Sequence, residues 1–240
     1  MPNIKVQTVF ERYEKKFLLG PLQYAELSKA LQTYMKADQY GLHTICSIYY
    51  DTEDYQCIRH SLDKPVYKEK LRLRSYGVPT ADSTVFLELK KKLDGITYKR
   101  RMPMTLAEAR RYLELGIPPE NQGQTFGEID WFVQRNQPQA KVLLSYDRVA
   151  LFGREDPRFR ITFDAGIRFR SRQLELSKGD YGAPLISPEQ RLMEIKTWTA
   201  IPCWLTSLLS ELGAYPTSFS KYGTVYRNYL LHEEEIRYAG

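Results

Sequence analysis

Charged residues recur at every second position in several short segments of this chain, with apolar residues between them. The plainest segment is Lys70-Leu71-Arg72-Leu73-Arg74. Successive side chains of a β-strand point to opposite faces, so this segment predicts a strand with three cations on one face and two leucines on the other. The same alternation appears in Arg12/Glu14/Lys16, Glu88/Lys90/Lys92, Tyr146/Arg148, Arg158/Arg160, Arg168/Arg170/Arg172 and Glu194/Lys196. The chain is therefore expected to form strands with strongly basic faces.

Such a basic face has two interpretations. A half-buried antiparallel strand normally turns its charges to water, which explains any one of these segments without a function. Where many basic strands lie side by side, each cross-strand pair of like-charged side chains costs on the order of tenths of a kcal/mol, unless an anion lies on that face. If the sheet closes, the basic face lines a wet tunnel and the apolar face packs against helices. The pattern is compatible with such a tunnel, and the order of strands and helices predicts an α+β fold with mostly antiparallel strands.

Composition limits the class of protein. With 42% hydrophobic residues, 240 residues suffice for one core, and we expect a single domain over residues 1–240. The net charge of +6 favours an anionic partner such as a phosphate chain, a nucleic acid or a membrane surface. The segment Met1-Pro2-Asn3-Ile4-Lys5 lacks the apolar run typical of a signal peptide, and no stretch approaches the roughly 20 apolar residues of a membrane span. We therefore expect a cytoplasmic protein with no membrane segment of its own. Cys46, Cys57 and Cys203 lack metal-ligand spacing, and the histidines are isolated.

Hydrophobic periodicity and turn residues predict the order of the elements. Asp94-Gly95 is typical of a tight hairpin turn, and Thr105 and Glu108 have the spacing of a capping box, as do Thr125 and Glu128. Helices are predicted at 22–36, at 105–115, around Phe126, Ile129, Phe132 and Val133, and at 202–212. Strands are predicted at 8–19, 44–50, 68–76, 84–93, 96–104 and 192–197, with three more between 141 and 176.

A few carboxylates stand among the many cations, notably Glu14, Glu88 and Glu194. Arg binds phosphate oxygens with a bidentate fork and Lys supplies a point charge. A hard divalent cation held by one or two carboxylates bridges the phosphates of a nucleotide. The set is therefore typical of phosphate chemistry, although a structural lattice of salt bridges explains the carboxylates equally well at this point.

An ordered series of motifs over almost the whole chain resembles the VTC (vacuolar transporter chaperone) domain, a family of the CYTH-like, or triphosphate tunnel metalloenzyme, superfamily. Each motif is short, and their common order carries the resemblance. The motifs are RYEKKF (12–17), SIYYDT (47–52), KLRLR (70–74), LELK (87–90), YDR (146–148), RITFD (160–164), MEIK (193–196) and SFSKY (218–222).

The resemblance implies an antiparallel β-barrel tunnel with basic walls and flanking helices, in which inorganic polyphosphate is built from the γ-phosphate of ATP with Mn²⁺ or Mg²⁺. By motif position, the resemblance also implies which residues form the catalytic phosphate-binding wall: Lys16, Arg72, Arg74, Lys90, Arg148, Arg160 and Lys221. Arg12, Lys99, Tyr146 and Ser220 are implied as further substrate-binding residues. Glu194 is implied as the metal ligand, with Glu14 and Glu88 as second candidates for metal binding or for ion pairs in the tunnel.

One departure from the superfamily bears on the reaction. Hydrolytic members open with Glu-x-Glu-x-Lys, whereas Arg12 stands here in place of the first glutamate. The change removes a candidate metal ligand and water-activating group and adds a cation, which favours transfer to a phosphate chain over hydrolysis.

Two alternatives to a polymerase stay open at this point. One is a metal-dependent triphosphatase that hydrolyses tripolyphosphate or nucleoside triphosphates, and the other is a non-catalytic module that binds polyphosphate or RNA. Nucleic acid is not the expected partner. The eukaryotic polymerases of this family carry a regulatory domain and a membrane segment. We expect neither in this chain, so any membrane association should come from a partner protein.

Overall fold

A computed structural model describes residues 9–10, 13–94, 96–120 and 122–232 of the chain. The strands are β1 (Val9–Phe10), β2 (Tyr13–Leu19), β3 (Met35–Ala37), β4 (His43–Asp51), β5 (Tyr67–Tyr76), β6 (Thr84–Leu93), β7 (Ile96–Thr105), β8 (Gln139–Gly153), β9 (Arg160–Arg170), β10 (Ala183–Pro184), β11 (Arg191–Thr197) and β12 (Pro216–Thr217). The helices are α1 (Pro21–Tyr34), α2 (Gln56–Leu62), α3 (Leu106–Leu115), α4 (Gln124–Asn136), α5 (Cys203–Glu211) and α6 (Lys221–Val225). A short 3₁₀ turn covers Leu176–Lys178, and a π-helical turn (Tyr226–Leu230) follows α6.

The chain divides into two compact units, and the division falls within β4 and β8. Unit 1 comprises residues 1–11, 47–143 and 172–179, and unit 2 comprises residues 12–46, 144–171 and 180–240. The expectation of a single domain over residues 1–240 stays a prediction.

The sheet of unit 1 has the strand order β1-β7-β6-β5. The predicted hairpin is confirmed: β6 and β7 pair antiparallel from Thr84↔Thr105 to Leu93↔Ile96, and Asp94 takes a left-handed φ of 45°. Gly95 lies outside the described residues. One face of this sheet is apolar and buried, and α3 and α4 pack against its strands. Its core residues include Leu71, Leu73, Leu87, Leu89, Tyr112, Phe126, Ile129 and Phe132.

The sheet of unit 2 has the order β8-β9-β11-β2-β12, and β10 also pairs with β9. β11 pairs antiparallel with both β2 and β9, although the three strands come from distant parts of the chain. One face packs against α1 and α5 in a core that contains Phe17, Leu27, Leu31, Ile161, Phe163, Met193, Ile195, Leu205 and Leu209. In both units one face of the sheet is therefore covered by helices and the other carries charge.

Antiparallel pairing with flanking helices confirms the α+β prediction, since every strand pair with a described register is antiparallel. The strand pairings form an open order, so closure into a barrel stays a prediction. Over the described ranges, the chain contains no helix that is both long and apolar enough to span a membrane.

Several local predictions were wrong. The first helix ends at Tyr34, and Met35–Ala37 pairs with β8 instead of continuing it. The second capping box is not formed, because α4 begins two residues earlier than Thr125 suggests, with Gly123 at the N-cap. Two long strands replace the three expected between 141 and 176. The strand β9 continues through Gly166, whose φ of +52° lies in the left-handed region that glycine adopts without strain.

Candidate functional site

The register of β5, β6 and β7 brings their basic residues onto one face, which we call the unit 1 basic face. In one row Arg72 lies opposite Glu88, which lies opposite Arg101; in the next, Lys90 lies between Lys70 and Lys99. The alternation of side chains then gives a face with eight cations and a single carboxylate. The face consists of Lys68, Lys70, Arg72, Arg74, Lys90, Lys92, Lys99 and Arg101 around Glu88.

Glu88 is the centre of this face, and its side chain is only 1% exposed. Its Oε2 lies 2.6 Å from Arg72 Nε and 3.8 Å from Arg74 Nε. Its Oε1 lies 2.6 Å from Lys99 Nζ and 2.5 Å from Arg101 Nε. Burial alone would raise the pKa of Glu88, but the four cations outweigh it and hold that pKa far below its usual range. Glu88 is therefore a permanent anion that fixes four cations in place.

Neutral side chains orient the arginines around Glu88. Arg72 donates to the Tyr49 hydroxyl at 3.2 Å and Arg74 donates to Ser47 Oγ at 3.3 Å. Arg101 donates to the Tyr76 hydroxyl at 3.1 Å, and its guanidinium lies 4.5 Å from the centre of the Phe86 ring. These contacts hold the planar forks in fixed directions, which is what bidentate recognition of phosphate requires.

The lysines of the same face crowd one another. Burial lowers the pKa of Lys99 to about 7, with Arg101 and Arg72 acting in the same direction and Glu88 opposing them. Burial also lowers the pKa of Lys68, with the positive charges of Lys92, Lys64 and Lys90 adding to the effect. Like charges directly opposite each other destabilise a sheet. An anion on this face would remove that penalty.

The sheet of unit 2 also has a charged face, which we call the unit 2 polar face. Glu194 on β11 lies between Thr162 on β9 and Lys16 on β2, and Thr217 on β12 follows Lys16 in the same row. The next row contains Arg160, Lys196 and Glu14. This face is buried at one end, where Thr162 and Asp164 lie, and exposed to solvent at the other, where Arg160 lies.

Asp164 is the buried anion of unit 2, with a side chain 1% exposed. Arg148 binds it with a bidentate fork, Nε to Oδ1 at 2.6 Å and an Nη to Oδ2 at 2.8 Å, and Lys221 Nζ lies 2.5 Å from Oδ2. Burial would raise the pKa of Asp164, but Lys221 and Arg148 outweigh it and lower the pKa to about 2. Both cations also lie over the ring of Tyr146, at 5.1 Å for Arg148 and 4.3 Å for Lys221.

The segment before α6 completes this group. Lys16 Nζ donates to the carbonyl of Phe219 at 2.9 Å. Ser220 is the N-cap of α6, since its Oγ accepts the backbone N–H of Gly223 at 3.2 Å. Accepting this bond does not use the hydroxyl proton of Ser220, and the predicted role of Ser220 toward phosphate stays a prediction.

The donor set for a divalent metal is small. Glu194 has a side chain 13% exposed and lies 3.5 Å from Lys196 Nζ, and Glu14 is the register partner of Lys196. Within the described ranges no group of three or more His, Cys, Asp or Glu side chains could hold a metal by itself. Mg²⁺ and Mn²⁺ in phosphate-transfer sites take one or two carboxylates, with substrate phosphates and water as the other ligands. Glu194 and Glu14 fit that requirement.

The structure groups the predicted residues into two sets. Unit 1 contains Arg72, Arg74, Glu88, Lys90 and Lys99; unit 2 contains Glu14, Lys16, Tyr146, Arg148, Arg160, Glu194, Ser220 and Lys221. Arg12 lies outside the described residues. All four cations around Glu88 form ion pairs with it, which is the second of the two roles expected for that carboxylate.

Two important residues were missed. Arg101 pairs with Glu88, and Asp164 anchors Arg148 and Lys221, although neither was assigned a role from the sequence. Alternation was the available signal. Arg101 stands two residues after Lys99, and Asp164 stands four after Arg160, so each shares a face with a predicted residue.

Comparison with protein families gives a match over most of the chain. The family model of the VTC domain matches residues 11–229 of the chain. The chain belongs to the VTC-domain family. The match includes every predicted site residue of this VTC domain. A comparison with curated proteins found no match.

Solved structures similar to this VTC domain are described as candidate adenylate cyclases. One from Bacillus halodurans has 14% identity and a TM-score of 0.58, with 93% of this chain and 100% of that chain covered. One from Vibrio parahaemolyticus has 10% identity and a TM-score of 0.48, with 91% and 99% covered. A third, from Hippeastrum and described as having a dominant triphosphatase activity, has 15% identity and a TM-score of 0.49, with 92% and 95% covered. The first match shows that this VTC domain shares its fold with the Bacillus halodurans protein.

Proposed function

We propose that this VTC domain is a metal-dependent phosphotransferase that moves the γ-phosphate of ATP to the end of an inorganic polyphosphate chain. The unit 1 basic face carries the proposal. Its cations extend from Arg74 to Lys68, six residues along β5, which corresponds to about 20 Å of strand. That length exceeds a triphosphate group. A repeating row of cations matches a repeating polyanion better than it matches a single nucleotide.

The residues of unit 2 have the chemistry for phosphoryl transfer. Asp164 occupies Nε and one Nη of Arg148, which leaves further N–H donors of the guanidinium for phosphate oxygens. Lys221 is fixed by the same carboxylate. Transfer of a phosphoryl group needs positioning and charge stabilisation and no covalent intermediate, so oriented cations are sufficient for the protein's part.

Transfer to phosphate is favoured over hydrolysis by the state of the buried carboxylates. An efficient general base has a pKa near the working pH, whereas the cations around Glu88 and Asp164 lower the pKa of both. These two groups are poor activators of water. The terminal phosphate of a chain is already charged and needs no base.

Glu194, with Glu14, would hold the divalent metal. When bound, Mn²⁺ or Mg²⁺ would neutralise negative charge on the phosphate oxygens. The side chains themselves position the substrate: Lys16 lies opposite Glu194 in the register and places a cation in the same row. The closed tunnel and a membrane-protein partner remain parts of this proposal that follow from the family resemblance. A cytoplasmic location remains an expectation from the sequence.

The products distinguish the candidate functions. We expect the purified chain, given ATP with Mn²⁺ or Mg²⁺, to release ADP and form a ladder of phosphate chains on a polyacrylamide gel. Orthophosphate or pyrophosphate without a ladder would make it a triphosphatase. Tight binding of polyphosphate with no metal-dependent turnover would make it a binding module, and salt-sensitive preference for single-stranded RNA would identify nucleic acid as the ligand.

Binding of tripolyphosphate is expected to weaken about tenfold between pH 6 and pH 8 because of Lys99. Its pKa of about 7 means that the ammonium loses its proton across this interval in the free protein, while a bound anion favours the protonated form. The complex therefore takes up a proton as it forms, which calorimetry in buffers of different ionisation enthalpy measures directly.

Lys99→Arg is the control for the role of Lys99, because a guanidinium stays protonated over the whole range. The variant should bind with a flatter pH profile. The protonation of tripolyphosphate itself is common to both proteins, so identical profiles would show that Lys99 does not face the anion.

A further inference from the structure

Thr162 is a buried residue whose hydroxyl has no use in the described structure. The residue is 4% exposed, and among the residues that the structure describes none hydrogen-bonds to its Oγ1. Buried polar groups are nearly always paired, and each exception calls for an explanation such as a missing ligand or a catalytic role. Valine has the same shape, favours strands equally and carries no such penalty. The hydroxyl at this position therefore needs a reason other than packing.

The register places a candidate functional group beside Thr162 on the same face. Thr162 on β9 and Glu194 on β11 are direct partners in the antiparallel pairing, so their Cβ atoms are about 5 Å apart. A threonine hydroxyl can donate across that distance to a carboxylate oxygen. In the described structure Glu194 instead lies 3.5 Å from Lys196 Nζ.

We infer that Thr162 is a positioning residue for the metal site, and that its hydroxyl donates a hydrogen bond to the carboxylate of Glu194 when that carboxylate holds a divalent cation. The inference rests on the proposed role of Glu194. Carboxylates that ligate metals are themselves hydrogen-bonded, and loss of such a partner typically weakens metal binding about 10-fold to 100-fold. Thr162 is placed to supply this bond from the neighbouring strand.

The test compares two readouts in Thr162→Val. The dissociation constant for Mn²⁺ alone, measured from the free-ion signal in electron paramagnetic resonance, should rise about 10-fold to 100-fold. The resistance of the metal-free protein to urea should stay equal or increase, because the variant removes an unpaired buried hydroxyl. Thr162→Ser keeps the hydroxyl and should bind Mn²⁺ as the parent does.

Thr197→Val is the matched control. Thr197 is another buried threonine of unit 2, but its Oγ1 accepts the backbone N–H of Thr199 at 3.2 Å, so its hydroxyl has a structural use. This variant should lose resistance to urea and keep its affinity for Mn²⁺. A merely structural hydroxyl at position 162 would give the same result as this control.

Three results would overturn the inference: unchanged Mn²⁺ affinity in Thr162→Val, loss of stability in that variant to the extent seen in Thr197→Val, or Mn²⁺ binding that Glu194→Gln does not weaken. The proposed function can be contradicted independently of this inference. A protein that binds Mn²⁺ through Glu194 and Thr162 but forms no phosphate ladder would retain the positioning role and lose the polymerase assignment.

Discussion

Glu88→Gln is expected to lower the free energy of unfolding of the chain by about 3–5 kcal/mol in a buffer of low ionic strength. The change removes the one negative charge of the unit 1 basic face and leaves Arg72, Arg74, Lys99 and Arg101 facing one another. Breaking a buried ion pair is costly because the remaining charges have already lost their water. Urea unfolding at neutral pH measures the loss.

Tripolyphosphate should restore much of this stability, since it brings negative charge to the same four cations. A ligand present at about 100 times its dissociation constant adds about 2.7 kcal/mol, and we expect a larger gain for Glu88→Gln than for the parent. Lys99 can relieve part of the repulsion by losing its proton, so the variant should also be relatively more stable at pH 8 than at pH 6.

Glu128→Gln is the control on the opposite side of the same sheet. Glu128 accepts from Lys91 at 3.2 Å and from Arg100 at 2.8 Å, but it is only partly buried, so its loss should cost less than about 1 kcal/mol. Tripolyphosphate should stabilise this variant no more than the parent. If it stabilised Glu88→Gln and Glu128→Gln equally, the unit 1 basic face would not be the anion site.

The charged faces could be predicted from the sequence because a strand has a period of two. The alternation at Lys70, Arg72 and Arg74 gives the face without any knowledge of the neighbouring strands, and the hairpin of β6 and β7 follows from one local turn. Glu88 and its cations come from consecutive strands. Local patterns were therefore sufficient for most of unit 1.

Unit 2 shows where local patterns are insufficient. Its polar face is formed by β9, β11 and β2. No local sequence pattern predicts the register in which these three strands pair. The register alone places Thr162 beside Glu194. Helix α2 was missed for a similar reason: Asp51, at the end of β4, accepts the backbone N–H groups of Cys57 and Ile58 and so caps the helix from a preceding strand.

Glu194→Gln is expected to reduce metal-dependent turnover at least about 100-fold, since loss even of a group that only supports a metal ligand typically costs about 10-fold to 100-fold. The amide keeps the shape and one acceptor oxygen of the side chain, but it replaces the other oxygen with an NH₂ donor and removes the charge that attracts a hard divalent cation. Turnover is measured as ADP release across a range of Mn²⁺ concentrations. The metal concentration for half-maximal activity should rise together with the loss in rate.

The fold should survive this change, because Glu194 lies on the polar face of a sheet whose opposite face supplies the core. Urea unfolding in the absence of metal should therefore give nearly the parent value. Glu211→Gln, at the end of α5, removes an exposed glutamate from the same unit and should leave both turnover and its dependence on Mn²⁺ unchanged. Full activity of Glu194→Gln at low Mn²⁺ would remove Glu194 from the metal site and leave Glu14, one row away on the same face, as the carboxylate to replace next.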